Sequence, residues 1–245
     1  MIVRTKKTGI MSKRSEGISI IFPAYNEEAN IEDTIKRTIA VMTEVTDDWE
    51  IIVVDDGSTD GTAEIIDRYR TLGERFTALH HPINRGYGAA LKSGIINAKK
   101  DLIFFCDSDL QFDIREIDKL LGWIDAYDIV IGYRAKRQDP YYRRLNAFGW
   151  NILVRFVLGL KIRDIDCAFK IFRRKVFDRI SIEAVGAMVN TDILAKALKL
   201  GFTLKEVPVT HYPRLKGKQT GAKLRVIIKA FGELITLSRK LKLDQ

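Results

Sequence analysis

The chain has 245 residues, 46% of them hydrophobic, enough for one large α/β domain with a substantial core. Its formal net charge of +9 gathers toward the two ends and around residues 134–144, which favours an anionic partner: nucleotide phosphate or an acidic membrane surface. Nucleic acid is not expected, because no helix pairs a basic stripe with aromatic platforms and no zinc or RNA-binding signature occurs.

Residues 1–17 are polar and basic, lack the apolar stretch of a secretory signal, and are expected to form a flexible arm. Residues 18–22 read as a short apolar strand ended by Pro23. PAYNEEANIEDTIKRTIAVM then turns helical, with Ile31, Ile35 and Ile39 on one face. WEIIVVDD is a second buried strand, ending in Asp55 and Asp56. GSTDG leads into a helix with Ile65, Ile66 and Tyr69 at apolar positions and Asp60 as its N-cap. FTALHH reads as a third strand and RGYGAALKSGIINA as the next helix. Leu102, Ile103, Phe104 and Phe105 form an apolar run suited to a strand covered on both faces, and it stops abruptly at Asp107-Ser108-Asp109. A helix over 113–125 and the strand DIVIGY follow. Strands alternating with helices predict a mostly parallel sheet with right-handed crossovers.

The second half is less regular. Residues 141–158 read as a helix with Leu145, Phe148, Ile152 and Phe156 on one face, and Arg144, Asn151 and Arg155 on another. FKIFRR is a short strand, 188–200 a helix, and FTLKEVPV a strand broken at Pro208. Residues 223–245 read as a basic amphipathic helix. No uncharged apolar stretch reaches the roughly 18 residues that span a bilayer. Cys106 and Cys167 lie in apolar sequence without CxxC spacing, which points to a reducing compartment and leaves no thiolate metal site.

Two motifs lead nowhere. RGYGAALKS resembles a phosphate loop, but Leu91 stands where a Walker loop and GxGxxG both need a glycine bare enough to admit phosphate. Gly86 and Gly88 are expected to allow a tight strand-to-helix turn instead. The 3 histidines fall in no obvious triad. The acid pairs remain. Asp107 and Asp109, two apart on extended backbone, project to one side at the crevice where open α/β sheets bind ligands. Paired hard oxygens suit Mg²⁺ or Mn²⁺ held partly by protein and partly by a diphosphate. Asp55 and Asp56 should open on the same edge, where an acid can accept hydrogen bonds from ribose or base. Four carboxylates on one edge repel unless a cation or donor offsets them.

FPAYNEE, VVDDGSTDGT, NRGYGAALKSGI, CDSDLQ, IGYR, RLNAFGWNILVRFVLGLKIRDIDCAFKIFRR and EVPVTHYPRLKGKQTGA together resemble the family 2 inverting glycosyltransferases, closest to the polyprenyl-phosphate glycosyltransferases. The resemblance covers residues 18–222 and implies a GT-A fold, with a mostly parallel central sheet flanked by helices and a C-terminal amphipathic helix. It implies transfer of mannose or glucose from a GDP-mannose or UDP-glucose type donor to a polyprenyl phosphate. It maps Pro23, Tyr25, Glu27, Asp55 and Asp56 to donor nucleotide recognition, Asp107 with them, and Asp107, Asp109 and Gln111 to the metal. Arg134, Arg144, Arg214 and Lys216 map to phosphates of donor and acceptor. Where the family often has SGFRAF this chain has CAFKIF, so Lys170 stands for a phosphate-binding arginine, and the two are not equivalent. The transmembrane helices familiar in the family are not in this sequence.

A lipid phosphate acceptor is already anionic and needs no strong base. A saccharide hydroxyl would need one, and Asp192 in VNTDIL is the candidate. A polyprenyl acceptor puts the enzyme on the cytoplasmic face of a membrane, peripheral, with the amphipathic helix on the anionic surface. The rival use of that helix is packing on its own domain or on a second copy in a homodimer.

Overall fold

The computed structural model describes residues 13–136, 149, 153–214, 216 and 232–240. Among these residues seven strands form one sheet: β1 (Ile18–Ala24), β2 (Trp49–Asp55), β3 (Phe76–His80), β4 (Leu102–Phe105), β5 (Ile129–Lys136), β6 (Lys170–Arg173) and β7 (Leu204–Thr210), in spatial order β3-β2-β1-β4-β6-β5-β7. β1 runs parallel to β2 and β4, β2 to β3, and β5 to β7. β6 is antiparallel to both its neighbours. The expected mostly parallel α/β sheet is therefore present.

Alternation along the strands builds two cores. In β1, Ile18, Ile20 and Phe22 face one side with Leu102 and Phe104 of β4; Ile21, Ile103 and Phe105 face the other. The helices are α1 (Ile31–Val45), α2 (Thr62–Asp67), α3 (Tyr87–Asn97), α4 (Ile117–Leu121) and α5 (Val189–Lys199). Ile31 and Ile35 of α1, Ile66 of α2 and Leu120 of α4 cover the first face. Leu91 of α3 and Ile193 of α5 cover the second, together with helical stretches at 153–158 and 232–240.

Several expectations need adjusting. The 113–125 helix is a 3-10 turn over Ile114–Glu116, capped by the Asp113 carboxylate on the Arg115 N–H at 3.1 Å, followed by the short α4. The N-cap of α2 is Gly61, not Asp60; Asp60 lies one residue before it and accepts from the Thr62 N–H at 3.0 Å. Residues 13–17, read as part of a mobile arm, lie on the body: Arg14 pairs with Asp125 at 2.5 Å and forms a bridge with Thr46. Pro208 does not break its strand. β7 is an edge strand and continues through Pro208 to Thr210, as an edge tolerates a residue without an N–H. No helix among the described residues is long and apolar enough to cross a membrane.

Candidate active site

Because β1, β2 and β4 are parallel neighbours, their carboxyl ends share one edge, and side chains knit the loops there. After β1, the Asn26 side-chain oxygen accepts from the Thr59 N–H at 2.8 Å, and the Asn26 N–H donates to the Ser58 hydroxyl at 2.9 Å. The Glu27 N–H donates to the Thr62 hydroxyl at 2.9 Å. After β4, the Ser108 hydroxyl donates to the Pro23 carbonyl at 2.9 Å, and the Thr34 hydroxyl donates to the Ser108 carbonyl at 3.0 Å. Asn26 (φ 55°) and Leu110 (φ 62°) are the non-glycine residues with positive φ among those described, and both lie in these loops. Such left-handed backbone is costly, and it collects where a site demands a fixed geometry.

Asp109 is buried. It accepts from the Gln111 N–H at 3.1 Å and faces Arg214 Nη1 at 3.5 Å. Arg214 Nη2 donates to Glu27 Oε1 at 2.6 Å, and the Asn30 amide donates to the other Glu27 oxygen at 2.7 Å. One guanidinium thus bridges the acid after β1 and the acid after β4. Burial, and then the charge of Asp109, push the Asp107 carboxyl up to about 7, although the Tyr87 hydroxyl and the charges of Lys170 and Arg134 act the other way. Burial also raises Asp109. Two crowded carboxyls held above their ordinary range are a site that an added cation would relieve. Among the described residues no group of three or more His, Cys, Asp or Glu side chains is placed to hold a metal ion. An open pair of hard oxygens fits Mg²⁺ or Mn²⁺, which keep positions for substrate phosphate.

The other acid pair is compensated from within. Asp55 Oδ1 accepts from the Ser58 N–H at 2.9 Å, and Oδ2 lies 3.1 Å from His80 Nδ1. Asp56 Oδ1 lies 2.6 Å from His81 Nδ1 and accepts from the Arg85 N–H at 2.9 Å; Oδ2 accepts from the Gly86 N–H at 2.8 Å. Asp56, expected beside the donor, therefore braces the turn into α3. His81 reaches on to the Ser93 hydroxyl at 2.9 Å, an Asp-His-Ser chain that the sequence reading did not find. The signal was present: the paired acids end β2 and the paired histidines follow on β3, its parallel neighbour, with Asp55 opposite His80.

The family model for glycosyl transferase family 2 matches residues 19–181. The chain belongs to that family. It is 32% identical over 207 residues to glycosyltransferase AglD of Haloferax volcanii, covering 80% of this chain and 33% of that protein. It is 31% identical over 223 residues to an undecaprenyl-phosphate 4-deoxy-4-formamido-L-arabinose transferase of Pseudomonas fluorescens, covering 89% of this chain and 64% of the relative. The chain thus spans between a third and two thirds of the length of these curated relatives. The fold is shared with glucosyl-3-phosphoglycerate synthase of Mycobacterium tuberculosis, crystallised with Mn²⁺, UDP-glucose and phosphoglyceric acid: TM-score 0.70 at 21% identity, over 91% of this chain and 80% of that one. The GT-A expectation holds.

Within this family 2 domain the remaining expected residues are placed unevenly. Pro23 is buried at the end of β1, and Tyr25 is half-buried just beyond it. Gln111 points its amide at the Tyr212 carbonyl (3.0 Å) while its backbone carbonyl accepts from the Tyr212 N–H (2.8 Å), so it ties the chain just after β7 to the loop that carries Asp109. Arg134 is held in a buried fork by Asp164, Nε to Oδ2 at 2.7 Å and Nη2 to Oδ1 at 2.6 Å. Burial lowers the Arg134 pKa, but the Asp164 hydrogen bonds and charge outweigh it and the net direction is up. Asp164 was missed, although Asp164 and Asp166 repeat the DxD spacing.

Lys170, expected at acceptor phosphate, is fully buried. It donates to the carbonyls of Ile165 and Cys167, and burial lowers its pKa. Its charge reaches Asp107 from inside the protein, and no phosphate surface is open to it. Asp192 Oδ2 accepts from the N–H groups of Glu183 (2.8 Å) and Ala184 (3.1 Å), and Oδ1 pairs with Lys196 at 2.9 Å. It holds the 183–186 segment against α3, where a Cβ on Gly88 would lie 2.4 Å from the Ala184 carbonyl oxygen. Of the two glycines of RGYG, Gly86 (φ 99°) makes the expected turn, whereas Gly88 lies inside α3 and admits the backbone of 184–186. Arg155 is exposed, its Nε donating to the Ile162 carbonyl at 2.8 Å. Lys216 is exposed, its carbonyl accepting from Arg214 Nε at 2.8 Å. Arg144 lies outside the described residues.

Proposed function

We propose that the domain transfers a sugar, with inversion, from a nucleoside diphosphate sugar to the phosphate of a polyprenyl lipid at the cytoplasmic face of a membrane. The observation that carries this reading is the Glu27–Arg214–Asp109 bridge beside Asp107, which sets two buried acids and a guanidinium on one sheet edge. The names of the curated relatives support the lipid phosphate acceptor. Glu27, Asp55 and the 23–28 loop hold the nucleoside. Asp107 and Asp109 hold a divalent cation, Mg²⁺ or Mn²⁺, which when bound neutralises charge on the departing diphosphate.

The chain's own residues do the rest. Arg214 exchanges its carboxylate partners for donor or acceptor phosphate as these arrive, which places the incoming anion beside the anomeric carbon. Arg134, oriented by Asp164, uses Nη1, the nitrogen outside the fork, for a second phosphate contact. An anionic phosphate oxygen needs no general base, so Asp192 can remain with the loop it holds. The test is a panel of radiolabelled GDP-mannose and UDP-glucose with polyprenyl phosphate, with and without chelator. Label is expected in the lipid phase only with metal, and Asp109→Asn should bring turnover down at least about 100-fold. Near-normal transfer by Asp109→Asn in chelator would overturn the metal assignment; label reaching only a soluble saccharide would overturn the acceptor.

A further inference from the structure

β2 and β3 end in register, which sets two imidazoles beside two carboxylates. Their surroundings differ. His81 lies between Asp56 and the Ser93 hydroxyl. A hydroxyl can donate or accept, so a neutral ring satisfies both sides. His80 lies between two carboxylates: Nδ1 is 3.1 Å from Asp55 Oδ2, and Nε2 is 3.1 Å from Asp67 Oδ1. A neutral imidazole has one N–H and one bare nitrogen, and here the bare nitrogen would face an oxygen that cannot donate. Only the imidazolium satisfies both contacts. The charged groups facing the ring are Asp55 from β2 and Asp67 from α2. Arg70, in the turn after α2, donates through Nε to the same Asp67 oxygen at 2.6 Å. Burial works against the ring's charge, but hydrogen bonds to Asp55 and Asp67 outweigh it and the pKa is raised above 6.5.

We propose that His80 is a positioning residue for the donor nucleoside: as an imidazolium it ties Asp55 to Asp67 and sets the Asp55 carboxylate to accept an N–H from the base. This rests on the reading of Asp55 as a nucleoside contact. Loss of the proton removes one of the two tethers. Asp55 is then fixed only by the Ser58 N–H, or by a ring no longer anchored to α2. Donor affinity falls as pH rises through the pKa of the ring, and Asp67, outside the donor crevice, sets where that fall occurs.

The test is calorimetry of the intact chain with UDP-glucose and GDP-mannose from pH 5.5 to 8.5, whose diphosphate does not titrate in this range. Wild type is compared with His80→Gln, so that titration at Asp107 is common to both. His80→Gln should bind the preferred donor about fivefold more weakly at pH 6 and within twofold of wild type at pH 8.5. Asp67→Asn should shift the change to lower pH, and the His80 ring signal in NMR should titrate above 6.5 in wild type and lower in Asp67→Asn. Equal affinities at pH 6, or a ring that titrates at the same pH in both proteins, would overturn the relay. Asp55→Ala separates the two readings: unchanged affinity there removes the nucleoside contact itself, whereas weakened binding with an unaltered His80→Gln profile removes only the relay.

Discussion

Asp107 shows what the site costs the fold. Its carboxyl is raised to about 7, chiefly by burial and then by Asp109, while an unfolded chain ionises it near its ordinary 3.8. The folded form therefore holds a proton that the unfolded form releases, and this contribution to stability is lost as pH climbs from about 4 through 7. Asp107→Asn removes the buried charge at nearly equal volume. In chelator the variant should melt higher than wild type at pH 8, by on the order of 5 °C, and at nearly the same temperature at pH 4.5. Thermal melts at the two pH values check this; a gap independent of pH would mean that the carboxyl ionises in the folded state as it does in water. The acids were legible in the sequence because charge ending an apolar strand has few other uses. Their partners were not. Asp56 and His81 are 25 residues apart and meet only because β2 and β3 are neighbours. Lys170 is expected at phosphate from the sequence because sequence alone cannot show that the carbonyls of Ile165 and Cys167 converge on it.

At the scale of elements, continuous apolar runs located the central strands and four-residue spacing located α1, because those strands are covered on both faces and the helix on one. The segments 159–169 and 181–188 carry no period, and they hold Asp164 and the backbone that packs on α3. That packing makes Gly88 a sharp probe. An added methyl would meet the Ala184 carbonyl at 2.4 Å and the Val185 carbonyl carbon at 2.8 Å, both backbone, so a segment tied to Asp192 would have to shift. Gly88→Ala should lower stability by about 1–3 kcal/mol in urea melts, despite the better helix propensity of alanine. A neutral or stabilising result would show that the 183–186 segment yields freely.

At the scale of the molecule, the helical stretch 232–240 has two faces. Leu234 and Leu237 are buried against the second core, while Ile235, Arg239 and Lys240 point outward. Packing on its own domain, the rival use of this helix, is thus present in its described turns. Deleting the helix would strip two leucines worth about 1.5–3 kcal/mol each from the core, confusing membrane contact with unfolding. A cleaner variant is Ile235→Glu with Arg239→Glu, which leaves both leucines in place. If this outer face meets an anionic surface, flotation with phosphatidylglycerol vesicles should fall by at least about tenfold with melting temperature unchanged. Unaltered flotation would remove the helix from the membrane contact and leave the transferase reading standing.

The edge strand β7 also limits how copies of the chain can meet. The Thr203 carbonyl turns inward to the Ile129 N–H, and the Thr210 N–H turns outward to Glu116 at 2.8 Å, so by alternation the Pro208 nitrogen faces outward as well. Of the outward positions on this edge, one has no hydrogen to give and another is already engaged. A neighbouring strand would find half its ladder missing, which is how natural sheets avoid growing into one another. Two copies of the chain would therefore gain little by laying β7 against β7, because the edge seen among the described residues offers an incoming strand only half of its outward donors.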